Sequence, residues 1–338
     1  MHNALEKIIN DFSNQFAVGI ETGRKTNFYG KRQAFKIVNS TIICGMGGSG
    51  LPGDILKSWQ LEKNIVRKDI IIHKNYGLPK DIKKPLIICV SYSGNTEETL
   101  SAYKQATKSG LPVLSIASGG ELALWSQKNK TPLVLMPKGI PPRFAIGYQF
   151  GALVGLLVET NLISKEIISI VLKDALKLKK SNLKKDAAKI VIKIGNRIPL
   201  IYSSERNKSL GYLLKIQFNE NTKIPAFTNT FPEFNHNEFN AFDILSKKQN
   251  ALAHNFCVLM LNDANDLPII KKRMKISGKF IKKTGAGLIY INLRKSPFFL
   301  RTFAGLILGQ WISVLLAQKY TLDPEPTELI EKFKKALA

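Results

Sequence analysis

Short apolar runs alternate with amphipathic stretches along most of the chain. Residues 3–18 repeat apolar side chains at three- and four-residue spacing, which predicts a helix. Helices are also predicted at 52–60 and from Glu97 onward. Five mostly apolar runs predict buried strands: 41–44, 70–73, 86–90, 113–117 and 133–136. Strands of this kind that alternate with helices are typical of a parallel sheet covered on both faces.

The same alternation returns in the second half of the chain. Helices are predicted across about 145–193, and a terminal helix begins at a proline in 324–338. Further strands are predicted at 199–203, 256–261 and 288–293. The expected fold class is α/β, with two doubly wound parallel-sheet domains of the flavodoxin-like type. The predicted divisions are an N-terminal helical extension (1–38), a first domain (39–160), a helical connector (161–194) and a second domain with a C-terminal helix (195–338).

The net charge of +25 raises the question of an anionic partner. An excess of lysine and arginine often marks a nucleic-acid-binding protein. Here the lysines are spread along the chain, and the densest stretch, 176–193, keeps apolar residues at helical intervals. Its lysines therefore fit one solvated helix face. Because no basic block interleaved with aromatic residues occurs, the sequence predicts no nucleic-acid partner.

Compartment and cofactors are inferred from what the sequence lacks. No apolar run reaches the roughly 18 residues of a membrane span, and the longest, 303–317, is interrupted by glycines and polar residues. The first residues are charged where a signal peptide would be apolar. We therefore expect a cytoplasmic protein without membrane contact. The three cysteines predict free thiols in the core, and the four histidines lack metal-ligand spacing, so neither metal nor other cofactor is predicted.

Two turns between a strand and a helix carry the strongest chemical signal. The first, residues 45–50, reads GMGGSG, so backbone amides can approach an anion at a helix N-terminus. It is a weak Rossmann fingerprint without the expected acidic residue, and it lacks the P-loop ending. The second, residues 91–96, reads SYSGNT and offers three hydroxyls. Each turn alone also fits a tight turn with a helix cap, but ligands bind at the carboxyl edge that both share. The pair predicts a phosphate monoester site.

The two turns, GMGGSG and SYSGNTEET, resemble the sugar isomerase (SIS) domain. Residues 219–221 (NEN) and 232–238 (PEFNHNE) resemble the bifunctional phosphoglucose/phosphomannose isomerase family, and the resemblance covers nearly the whole chain. It implies a metal-free isomerase that interconverts glucose 6-phosphate, and mannose 6-phosphate, with fructose 6-phosphate through a cis-enediol(ate). It also implies a homodimer in which His236 completes the partner's site.

The resemblance assigns roles to individual residues. Those implied to bind the substrate phosphate are Gly47, Gly48, Ser49, Ser91, Ser93 and Thr96. Glu220 is the implied base, and His236 is the group that opens the sugar ring. Arg143 is implied to stabilise the enediolate, and Lys319 to assist ring opening. These residue types suit the chemistry, since a histidine can donate and accept near neutral pH and an arginine keeps its charge.

Several alternatives remain open at this stage. Glu220 also fits a solvated carboxylate at the end of a helix over 209–219, and Arg143 fits a packing residue. Glu233 and Glu238 are competing bases. A sugar-phosphate sensor or a catalytically inactive scaffold would need only the phosphate site. Use of mannose phosphate in the family is linked to a threonine before the C-terminal lysine, where this chain offers only the residues Gln310, Ile312 or Ser313.

Overall fold

Two parallel β-sheets, one in each of two structural units, organise the fold. The structure is a computed structural model that describes residues 2–179, 182–293 and 295–337, without the side chains of residues 2 and 3. One unit is Asn10–Lys180, and the other combines Met1–Ile9 with Ser181–Ala338. The domain boundaries inferred from the sequence remain a prediction.

The unit Asn10–Lys180 contains a five-stranded sheet. The helices of the chain up to this point are α1 (His2–Asn10), α2 (Phe12–Arg24), α3 (Gly47–Lys63), α4 (Glu97–Lys108), α5 (Gly120–Lys128), α6 (Ile146–Glu159) and α7 (Glu166–Lys179). The strands are β1 (Ser40–Cys44), β2 (Asp69–His73), β3 (Pro85–Val90), β4 (Val113–Ala117) and β5 (Leu133–Leu135). They are all parallel in the order β2-β1-β3-β4-β5, the flavodoxin-like arrangement.

The central strands of this sheet are apolar because both of their faces are covered. Every residue of β1, β3 and β4 is buried. Helices α2 and α6 approach each other closely through glycines. A Cβ atom at Gly19 would lie 2.3 Å from the carbonyl oxygen of Tyr148, and one at Gly151 would lie 2.6 Å from that of Phe16. Any larger residue at either position would push the two helices apart.

The other unit contains a four-stranded parallel sheet. Its strands are β6 (Ile198–Ser204), β7 (Phe227–Phe231), β8 (Phe256–Asp263) and β9 (Gly287–Leu293), in the order β7-β6-β8-β9. Its remaining helices are α8 (Leu183–Ile194), α9 (Lys208–Gln217), α10 (Lys247–Ala253), α11 (Pro268–Lys283), α12 (Phe298–Lys319) and α13 (Glu328–Leu337). The central strands β6 and β8 are almost wholly buried, as β1 and β3 are.

The predicted α/β class with two parallel sheets is confirmed. The free cysteines are confirmed as well, since Cys44, Cys89 and Cys257 are all buried and unbridged. Strand β7 was not predicted, because its middle residues, 228–230, are polar and it lies at the edge of its sheet. Helix α3 begins at Gly47, five residues before the predicted start, because the glycines that indicate a turn also form its first helical turn.

Helix α12 corrects the expectation that no apolar segment reaches the length of a membrane span. It continues through its glycines and polar residues for 22 residues, and an 18-residue window has a mean hydropathy of 1.6. In the part of the chain that the structure describes, it is the one helix long and apolar enough to cross a membrane by length and composition. Because 89% of that window is buried within the protein, α12 has the burial of a core helix.

Candidate active site

The first carboxyl edge joins the loops that follow β1 and β3. The Ser49 hydroxyl accepts a hydrogen bond from the Tyr92 amide at 2.9 Å, and Ser49 is buried. A Cβ atom at Gly45 would lie 2.9 Å from the carbonyl oxygens of both Ser49 and Val90, so no side chain fits between the loops there. Gly47 faces open space at the start of α3. The amides of Ser49 and Gly50 donate to the Met46 carbonyl, whereas those of Gly47 and Gly48 precede the first position that has an intrahelical acceptor, which leaves donors at this edge.

Ser91 holds the second loop in shape. Its hydroxyl lies 2.8 Å from the Thr96 hydroxyl and accepts hydrogen bonds from the amides of Gly94 at 3.1 Å and Thr96 at 3.4 Å. Ser91 is fully buried, whereas Ser93 is exposed and accepts from the Asn95 amide at 3.3 Å. The three hydroxyls therefore differ in position: Ser91 is internal to the loop, Thr96 is half-buried at the start of α4, and Ser93 faces solvent.

A third turn, residues 118–121 after β4, supports the second loop. The Ser118 hydroxyl donates to the Tyr92 carbonyl at 2.7 Å, and the Asn95 side chain accepts from the Glu121 amide at 2.9 Å. Gly94 has a φ of +76°, and a Cβ atom there would lie 1.8 Å from the Gly119 carbonyl oxygen. This turn was not predicted, although a serine and two glycines directly after a predicted strand, 113–117, are the same signal as in the other two turns.

Arg143 lies directly beside the first loop. It belongs to a short 3₁₀ helix, Pro142–Phe144, and is 2% exposed. A Cβ atom at Gly48 would lie 3.0 Å from the Arg143 backbone nitrogen, so Gly48 lets this segment approach α3. The Tyr92 hydroxyl donates to the Pro137 carbonyl at 2.6 Å and accepts from the Ile140 amide at 3.3 Å, which ties the segment before Arg143 to the second loop.

Two lysines not singled out in the sequence also reach this edge. Lys74, directly after β2, forms a 2.6 Å ion pair with Asp54, and its Cε lies 3.3 Å from the position of a Cβ atom at Gly50. Burial raises the pKa of Asp54, although the Lys74 ammonium opposes that shift. Lys138, after β5, is exposed, and its Nζ lies 3.5 Å from a Cβ position at Gly119. The Lys74 ammonium is thus paired within the fold, whereas Lys138 brings positive charge to the rim beside the second loop.

Glu220 lies in a π-helical turn, Phe218–Thr222, that follows α9 in the other unit. It is half-buried, and the regular helix ends before it, at Gln217. The Asn221 side chain donates to the Ser313 hydroxyl of α12 at 2.8 Å, and that hydroxyl donates to the Gln310 carbonyl at 3.0 Å. Wide turns of this kind are frequent at functional sites. The Asn221–Ser313 bond fixes the turn that carries Glu220.

The two competing carboxylates have polar partners in the structure. One oxygen of Glu238 accepts from the Tyr202 hydroxyl at 2.5 Å and the other from the Asn229 side-chain nitrogen at 2.6 Å. Burial first, and then the bond to Glu238, raises the pKa of Tyr202 far above its usual value. Glu233 is exposed and accepts from the Asn237 side chain at 2.6 Å. These bonds hold the PEFNHNE segment in shape, which gives both carboxylates a role other than that of base.

The remaining predicted residues also lie in this second unit. His236 ends a 3₁₀ helix, Glu233–His236, and is exposed. Lys319 is exposed at the last position of α12. Ile312 and Ser313 are both fully buried, one and a half to two helical turns before Lys319. The Ser313 hydroxyl is hydrogen-bonded to the Asn221 side chain, so it positions the turn that carries Glu220.

Comparison with known proteins places these features in a family. Residues 183–337 match the family model described as the bacterial phospho-glucose isomerase C-terminal SIS domain. The bifunctional phosphoglucose/phosphomannose isomerase of Aquifex aeolicus is 32% identical over 298 residues, which span 88% of this chain and 89% of the relative. The chain belongs to the bifunctional phosphoglucose/phosphomannose isomerase family. It is therefore an isomerase built from SIS domains.

Other members and solved structures agree with this membership. The bifunctional phosphoglucose/phosphomannose isomerase of Caldicellulosiruptor bescii is 32% identical over 311 residues, 89% of this chain and 90% of the relative. The C-terminal domain of glucosamine-fructose-6-phosphate aminotransferase from Francisella tularensis matches with a TM-score of 0.72 at 12% identity, covering 95% of this chain and 96% of that one. The structural match at this identity shows the SIS fold that the chain shares with a different enzyme.

Proposed function

We propose that this member of the family interconverts glucose 6-phosphate and fructose 6-phosphate, and also accepts mannose 6-phosphate. The observation that carries the proposal is the joined pair of loops, in which Ser49 accepts from the Tyr92 amide at 2.9 Å and Ser93 faces solvent. Neutral hydroxyl and amide donors with lysines nearby suit a phosphate dianion. The names of the relatives supply the hexose part of the substrate.

The chemistry assigned to each residue follows from what isomerisation requires. His236 donates a proton to the ring oxygen and accepts one from the anomeric hydroxyl, with Lys319 assisting, which opens the ring. Glu220 removes the proton from C2 and returns it to C1, while a second proton passes from O2 to O1, so that the carbonyl moves from C1 to C2. Arg143, which keeps its charge throughout, stabilises the oxyanion of the cis-enediolate. No step needs a cofactor, since the proton and the electron pair stay within the substrate and these side chains.

Replacing the proposed base gives the sharpest test. Glu220→Gln keeps the size of the side chain and removes the proton acceptor, so kcat for fructose 6-phosphate should fall by about 10²–10⁴-fold while binding is retained. Glu166→Gln is the matched control, because Glu166 is an exposed carboxylate at the start of α7, outside the segments to which a catalytic role is assigned. If the unaltered protein binds fructose 6-phosphate without turnover, the sensor or scaffold alternative replaces the proposal.

We also propose that the enzyme works in the cytoplasm as a homodimer in which His236 serves the partner's site. An exposed histidine in the family's motif supports this proposal. Chains carrying Glu220→Gln mixed with chains carrying His236→Asn should regain activity, because a mixed dimer has one site with both residues intact. A mixture as inactive as its components contradicts the shared site.

A further inference from the structure

The second sheet has a carboxyl edge that corresponds to the phosphate edge of the first. In both sheets the first strand in sequence lies beside the second and third strands, so β6 corresponds to β1 and β8 to β3. The loops in question are therefore residues 205–207 after β6 and residues 264–267 after β8. Ligands of open parallel sheets bind at this edge, between the central strands. The residues that fill it decide whether a second ligand can bind.

A buried carboxylate already occupies this edge. Asp263 ends β8, and one of its oxygens lies 3.0 Å from Nε of Arg301, with both side chains fully buried. The same oxygen accepts from the Asn207 side chain at 3.0 Å, and the other accepts from the Asn265 amide at 2.9 Å. The charge of a guanidinium and hydrogen bonds from a carboxamide and a backbone amide surround this carboxylate, and groups of these kinds bind oxyanions.

A second carboxylate adds to the negative charge of this edge. Asp266 is 5% exposed, and one of its oxygens accepts from the Ser204 hydroxyl at 2.6 Å. Its other oxygen is buried without a hydrogen-bond partner in the described part of the chain. The Asn207 side chain also donates to the Ser204 hydroxyl at 3.0 Å, so the end of β6 is bonded to the loop after β8. An incoming phosphate would meet two buried carboxylates.

We propose that this edge is an anion site whose ligand is the chain's own Asp263. The carboxylate takes the place that a substrate oxyanion would take, and Arg301 with Asn207 serves it. The second SIS domain is therefore closed to sugar phosphates, and each chain binds one hexose phosphate, at the edge that holds Ser49 and Ser93. The number of one hexose phosphate per chain rests on the proposed function, whereas the closure of the second edge rests on the contacts of Asp263 and Asp266.

Chemical rescue tests the closed site directly. Asp263→Gly removes the carboxylate and leaves its donors, so formate should bind in its place and raise the Tm of the variant by about 2–4 °C, as ligand binding to the folded state does. The unaltered protein in the same formate series should shift little. Asp174→Gly is the matched control: Asp174 is also buried, but its ion-pair partner is the half-exposed Lys177. A variant indifferent to formate, or an equal shift in the control, overturns the proposal.

A second measurement covers the case in which Asp263→Gly does not fold. Equilibrium dialysis of the unaltered protein with labelled fructose 6-phosphate should give one bound molecule per chain. A value of two per chain overturns the closed edge. A value of zero contradicts the proposed function and agrees with a closed second edge. The two proposals are therefore contradicted by different results.

Discussion

The two carboxyl edges share a topology and differ in chemistry. At the first, glycines and the hydroxyls of Ser49, Ser91 and Thr96 form the loops, and the positive charge of Lys138 lies at the rim. At the second, Asp263 and Arg301 form a fully buried ion pair. The comparison teaches that strand order determines where a site can form, whereas the side chains determine whether it is open.

The electrostatic consequence of this difference is opposite for the two edges. The donors at the first edge are neutral hydroxyls and amides, so they can stabilise the negative charge of a dianionic ligand. At the second edge the desolvation cost of burying Asp263 and Arg301 is met by their mutual attraction and by hydrogen bonds from Asn207 and Asn265. The first edge thus keeps its donors for binding, and the second uses its donors within the fold.

The largest effect is expected at the tightest contact of the first edge. Gly94→Ala should lower the free energy of unfolding by more than about 3 kcal/mol and abolish turnover, because its Cβ would lie 1.8 Å from the Gly119 carbonyl oxygen. Urea unfolding and the isomerase assay measure the two effects. Gly110→Ala is the control: its φ of +66° is similar, but nothing lies within 4 Å, so about 1 kcal/mol of backbone strain is expected. Equal losses would contradict the role of the Gly94 contact.

A smaller effect with a distinct pH dependence is expected at the second edge. Burial raises the pKa of Asp266, and the negative charge of Asp263 adds to the shift, while the Ser204 hydroxyl and nearby arginines oppose it. The folded state therefore holds the proton more tightly than the unfolded state. This contribution to stability is present in acid and is lost as pH rises through the folded pKa.

Asp266→Asn should remove the loss of stability that Asp266 causes as pH rises. At pH 7 the variant should be more stable than the unaltered protein by about 1 kcal/mol, because a buried charge with an unpaired oxygen is gone, and the difference should shrink toward pH 4. Urea midpoints across this range measure it. Asp186→Asn, at an exposed helical position, should leave the profile unchanged. A variant that loses stability as pH rises in parallel with the unaltered protein would exclude Asp266 as the source.

The sequence predicts the features that depend on neighbouring residues. The strands β1 and β3 and the loops after them were predicted because apolar runs and glycine-rich turns are local signals. The wide turn at Glu220 was not predicted, since it depends on the bond from Asn221 to Ser313, 92 residues away. A helix over 209–219 was expected, with Glu220 at its end; the regular helix ends at Gln217, and a wider π-helical turn continues it through Glu220 to Thr222.

The second edge shows the same limit of sequence-based prediction. Residues 263–266 read as turn formers, because aspartate and asparagine favour turns. Arg301 is the residue that could have indicated otherwise, since it lies in the first turns of a mostly apolar helix and a buried arginine requires a partner. The identity of that partner depends on the packing of α12, which no local pattern specifies.

The smallest effect concerns the rim of the first edge. Lys138→Ala should raise KM for fructose 6-phosphate about two- to fivefold and leave kcat unchanged, because an exposed ammonium near Gly119 strengthens binding of a dianion only modestly. Adding salt should reduce the difference between the variant and the unaltered protein, since exposed charges are screened. Lys128→Ala is the control, because Lys128 is exposed at the opposite end of α5. If both variants raise KM equally, the general charge of the protein attracts the substrate and the position of Lys138 contributes nothing. If only Lys138→Ala raises KM, the phosphate edge extends to the turn after β4.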